Sequence, residues 1–145
     1  MQKSLTWILL ILVSSAYAND KRIIIAADNW CPLTCAESDI NQGYLIDVAT
    51  AAFAVSGYTV KYVEMPWTRA IGLARKGELH AIAGAFADDA PDFHFPQFPL
   101  ITVTNQFFVQ KDVDWQYDSL RSLNDIRLGV IKGYDYGETL NNYIR

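Results

Sequence analysis

The run Arg22 to Ala27 (RIIIAA) limits the possible folds more than any other stretch of this 145-residue chain. Three consecutive isoleucines and two alanines leave no side of a strand that prefers water. A strand buried on both faces belongs to a parallel sheet covered by helices above and below.

The residues that follow supply those helices and further strands. From Tyr44 to Ser56, Leu45, Val48, Ala49, Ala52, Phe53 and Val55 fall near helical spacing, and Gly57 provides a left-handed stop. Tyr58 to Glu64 (YTVKYVE) alternates as a second strand. Pro66 then suits the first turn of a second helix, on which Trp67, Ala70, Ile71 and Ala74 share a face. Gly77 ends it, and Leu79 to Ala85 (LHAIAGA) is predicted as a third strand. This alternation specifies the α/β class with right-handed crossovers. Phe86 to Pro99 has three prolines and four phenylalanines but no single period, and is predicted as a loop packed on the sheet. Leu100 to Gln110 is predicted extended, and Lys111 to Ser122 has the polar composition of a connection between folding units. Arg127 to Ile131 is predicted to begin a new strand, with Gly133 to Gly137 leading into a helix.

The first eighteen residues stand apart from this pattern. Lys3, an apolar run from Leu5 to Val13 and Ala16-Tyr17-Ala18 form a secretory signal peptide with an Ala-x-Ala cleavage site. The run is too short for a permanent membrane span, and no later stretch is long enough. Removing residues 1–18 takes away one basic residue, leaving 11 basic against 16 acidic side chains, a net charge of −5. That balance argues against a polyanion such as nucleic acid as partner. Cys31 and Cys35 both lie in the exported part, where a disulfide persists, and are expected to bond to each other. So small a ring contributes about 2 kcal/mol through loop closure, so its main effect is to shape the loop. A redox pair is the alternative, weakened by three intervening residues where such motifs have two. A metal site is weaker still, because His80 and His94 are isolated in sequence.

In open parallel sheets, ligands bind beyond the carboxyl ends of the strands. Those ends are Asp28 to Trp30, Glu64 to Trp67, Ala85 to Asp88 and Gly133 to Asp135. The candidate ligand-binding residues are therefore Asp28, Trp30, Trp67, Arg69, Ala85, Phe86, Gly133, Tyr134 and Asp135. Each has a plainer reading beside the functional one. Trp30 is a platform for a ligand or a cover for the sheet end; Trp67 is a core ring first and a ligand contact second. Arg69 grips an anionic group or pairs with Glu64. Asp28 binds an ammonium or caps loop amides, and Gly133 to Tyr136 offers amides to an anion or is a glycine turn. Asp88, Asp89 and Asp92 read as a solvated acidic loop. No nucleophile, base and orienting group converge, so no catalytic residue and no cofactor is assigned.

The order of elements resembles the type 2 periplasmic solute-binding proteins, in the subgroup of polar-amino-acid receptors of ABC importers (bacterial solute-binding family 3). The residues carrying the resemblance are Gly43 to Val48, PWTRA with GELHAIAGA, Phe95 to Pro99, and RLGVIKGYDYG, spanning nearly all of residues 22–145. The resemblance implies one lobe over residues 19–111, with 112–145 forming the crossover and the start of a second, truncated lobe. It implies a periplasmic, non-enzymatic protein that captures a small, amino-acid-like polar solute for a membrane permease. A sensory input domain and a dehydratase-like enzyme of the same fold are the alternatives. The chain departs from the pattern where an arginine is expected to hold a ligand carboxylate, since Phe86 to Pro96 contains no arginine or lysine. Arg69 is the nearest substitute, and a cationic or neutral solute gains ground.

Overall fold

A computed structural model describes residues 21–145; the signal-peptide expectation lies outside the described residues. At its centre is a three-stranded parallel sheet ordered β2-β1-β3, built from β1 (Arg22–Ala27), β2 (Thr59–Glu64) and β3 (Ala81–Ile82). The β1–β2 ladder runs from Arg22↔Thr59 to Ala27↔Glu64, and β3 pairs through Ile25↔Ala81 and Ala26↔Ile82. The central strand is the isoleucine run, as its composition demands.

Alternation along β1 divides the core in two. Ile25 and Ala27 pack with Ile46 of α1 (Tyr44–Ala54) and with Tyr62 of β2. Ala26 faces the other way, onto Ala70 of α2 (Trp67–Arg75) and Leu79. One helix on each face removes both sides of the strand from water, which is the arrangement that parallel pairing requires.

The start of α1 is tied to the disulfide loop. Its first amides have no side-chain cap; Tyr44 N donates to Pro32 O and Leu45 N to Leu33 O, both at 3.0 Å. Backbone carbonyls thereby satisfy donors that would otherwise be orphaned at a helix N-terminus. The approach is so close that a Cβ on Gly43, at φ +107°, would sit 2.5 Å from Leu33 O. Cys31 and Cys35 are bonded. The loop is further pinned by Cys35 N to Gln42 O at 2.8 Å and by the Tyr62 hydroxyl donating to Cys35 O at 3.0 Å. Burial, reinforced by Glu64, Asp28 and Glu37, pushes the Tyr62 hydroxyl up to about 12, so it remains a donor at any physiological pH.

Several elements are shorter or less regular than the sequence predicts. Pro66 sits just ahead of α2 and not within its first turn, with its carbonyl accepting from Arg69 N and Ala70 N. The third strand, expected over Leu79 to Ala85, narrows to Ala81–Ile82. His80 N and Ala83 N still bond Ile24 O and Ala26 O, but the His80 imidazole takes the Ile24 amide at 3.1 Å, and Gly84 turns away at φ +89°. Leu100 to Gln110 and Arg127 to Ile131, expected as an extended segment and a strand, join no ladder among the described residues. A 3₁₀ turn, Leu120–Leu123, buries Leu123, and the expected last helix is present as α3 (Glu138–Ile144). Among the described residues no helix is long and apolar enough to cross a membrane.

The two glycines flanking α1 provide a test of the loop contact. A methyl group on Gly57, at φ +74°, would meet nothing within 4 Å, so G57A should cost about 1–2 kcal/mol, the left-handed penalty alone. G43A adds a backbone collision and should cost roughly 3 kcal/mol or more. Urea denaturation midpoints of the two variants, compared at equal m, check the difference.

Candidate binding site

Beyond the carboxyl ends of the strands lies a hollow of about 170 Å³. The end of β1 supplies Asp28 and Trp30; the start of α2 supplies Trp67; the chain leaving β3 supplies Ala83, Gly84, Phe86 and Asp89. Its outer wall is the turn containing Ile131, Tyr134, Asp135 and Tyr136, with Asn105 from the extended segment at the rim.

Short-range bonds explain how each wall is held. Trp30 opens the disulfide loop, donating to Thr34 O at 2.6 Å and accepting from Leu33 N and Thr34 N, while its ring lies over Gly84. Three contacts then fasten the outer turn to the sheet end. The Trp67 indole N–H donates to Gly133 O at 3.1 Å, the Tyr134 hydroxyl donates to the Asp28 carboxylate, and Asp135 N donates to Asp89 Oδ1 at 2.9 Å. Trp67 and Tyr134 also meet edge-to-face, with ring centroids 5.9 Å apart. A Cβ on Gly133, at φ +83°, would stand 2.8 Å from Thr68 Cγ2, so this close seat also favours glycine.

The electrostatics of the hollow are one-sided. Asp28, Asp89 and Asp135 line it, and among the described residues no Lys, Arg or His does. Partial burial raises Asp89 above the ordinary carboxylate value, and the amides of Phe86 and Asp135 oppose that rise. Burial, followed by the hydrogen bond to Asp28, raises the Tyr134 hydroxyl, which therefore stays protonated as donor. Among the described residues no group of three or more His, Cys, Asp or Glu is placed to hold a metal ion.

Six of the nine candidate residues come together here: Asp28, Trp30, Trp67, Phe86, Tyr134 and Asp135. Gly133 stands directly behind the wall as acceptor for Trp67. Ala85 and Arg69 are not among the lining residues, and Arg69 is exposed on α2 with no ion pair to Glu64 among the described residues. The carboxylate of Glu64 instead accepts from Glu37 N, while Glu37 returns the bond to Glu64 N. The Asp28 carboxylate caps no loop amide among the described residues; it holds Tyr134. The acidic loop also divides by residue. Asp88 is exposed, Asp92 forms a two-point pair with Arg75 at 2.8 Å, and Asp89 turns inward. Tyr136, the end of the Gly133 to Tyr136 segment, also lines the hollow. Asp89 and Asn105 stand outside the candidate set, and neither carries a local signal that separates it from neighbouring polar residues.

No family model, curated protein or solved structure matches the chain.

Two outcomes test this geometry. Y134F leaves the Asp28 carboxylate without its hydroxyl donor, a bond to a charged group; amide exchange at Asp135 should accelerate about tenfold or more. For Asp89 the folded-state pKa lies above the unfolded one. The native state therefore holds its proton more tightly, and stability is lost as pH rises from the ordinary value of 3.8 through the raised one. The unfolding free energy of the wild type relative to D89N should accordingly fall with increasing pH across that acid window, as measured by urea melts at stepped pH.

Proposed function

We propose that this protein is an exported solute-binding protein, in which the described α/β unit acts as the first lobe of a two-lobed, type 2 binding fold and delivers a small polar solute to the permease of an ABC-type importer. The observation that carries the reading is the position of the hollow. It lies beyond the carboxyl ends of parallel strands, where loops and helix starts leave room for a ligand in open α/β sheets. In this reading the turn at 131–136 opens the second lobe, and its contacts with Trp67, Asp28 and Asp89 are the closing surface. The bonded cysteines and the leader-like residues 1–18 fit an oxidising compartment, which for this function is the periplasm. The residues of the hollow form no triad of nucleophile, base and orienting group, so the reading is binding without chemistry.

Isothermal titration calorimetry of the chain purified from the periplasm, against amino acids, amines, small peptides and sugars, tests the proposal. At least one solute should bind with W30A weakening it by tenfold or more, the order of one aromatic contact. Failure of every solute class up to millimolar concentration overturns the reading.

A further inference from the structure

The hollow at the strand ends has a chemistry narrower than "small and polar". Its lining residues include three aspartates and five aromatic residues, Trp30, Trp67, Phe86, Tyr134 and Tyr136, and among the described residues no basic one. The carboxylates are not fully used by the protein. Both Asp89 oxygens accept backbone amides, Phe86 N at 2.8 Å and Asp135 N at 2.9 Å. Asp28 takes the Tyr134 hydroxyl on Oδ2 alone, and Asp135 takes Gly137 N and Asn141 Nδ2 on Oδ1 alone. One oxygen on each of these two residues has no protein donor among the described residues. All the donors present are neutral, so the negative charge of the walls stands uncompensated.

Resting on the capture reading above, we infer that the solute is a small organic cation without a carboxylate, held by cation–π contact with the rings and by the spare oxygens of Asp28 and Asp135. Three features favour this occupant over its rivals. A carboxylate-bearing solute would place its own anion among three others with no cation to receive it. A bare divalent ion would need its ligands gathered at one point, and no such group exists among the described residues. An ammonium instead suits a hollow rich in aromatic residues, because an aromatic face attracts a cation within about 6 Å of its centroid. The volume, about that of six water molecules, suits an alkylammonium or a short amine.

The test pairs each amine with the amino acid that differs from it by one carboxylate: ethylamine with alanine, and cadaverine with lysine. Tetramethylammonium, acetate and neutral sugars complete the series. The full chain, expressed with its leader and recovered from the periplasm, is titrated by following the tryptophan indole N–H resonances, which remain readable at millimolar affinity. Amines and tetramethylammonium should shift these signals, each amine binding at least tenfold more tightly than its amino-acid partner. Added salt should weaken the binding, and D28N should weaken it by about tenfold, as expected for loss of a charge-assisted contact. Should D28N fail to fold by circular dichroism, D135N serves the same purpose. An amino acid or acetate binding as well as or better than the matched amine overturns the inference and leaves the capture reading standing. Silence from every solute, amines and neutral sugars included, overturns both.

Discussion

Two-sided burial of β1 is the constraint from which the rest of the structure follows. A strand of isoleucine and alanine cannot tolerate water on either face, so it must lie between two strands and under two helices. Parallel pairing then obliges the chain to cross over a face before each new strand, and all three carboxyl ends arrive on the same edge. The hollow is a geometric result of that order: the loops leaving β1, β2 and β3 diverge to reach different faces and leave a gap among them.

The disulfide loop converts this edge into a defined wall. Its carbonyls cap α1, its Cys35 carbonyl is held by Tyr62 of β2, and its first residue, Trp30, rests over Gly84. The bridge closes a ring too small to constrain the unfolded chain strongly, contributing about 2 kcal/mol by loop closure. What it adds is position, because one short loop touches α1, β2 and the exit of β3 together.

Elements whose signal is local were legible in the sequence. The isoleucine run marks β1, the spacing from Leu45 to Phe53 marks α1, and Gly57 and Gly77 mark the ends of the two helices. Elements defined by a distant partner were not. Leu100 to Gln110 and Arg127 to Ile131 have strand-like composition, but a strand exists only where another backbone meets it, and no ladder forms there among the described residues. The third strand is shorter than its letters for a related reason: the apolar run continues to Ala85, whereas the register ends at Ile82 and Gly84 turns the chain away. The site divides along the same line. Residues directly after strands, such as Asp28, Trp30 and Phe86, could be placed by topology. Asp89 could not be told from Asp88 and Asp92, because its inward turn depends on the amides of Phe86 and Asp135, the latter 46 positions away.

Trp67 belongs at once to the interior and to the hollow: it is 5 % exposed, its indole nitrogen carries the outer turn, and its ring forms part of the cavity surface. Evolution therefore has little liberty to retune specificity through this position, since any smaller ring would loosen the scaffold along with the pocket. Diversification among descendants of such a chain would fall instead on Phe86, Asn105 and Tyr136, whose side chains meet the cavity without anchoring a helix.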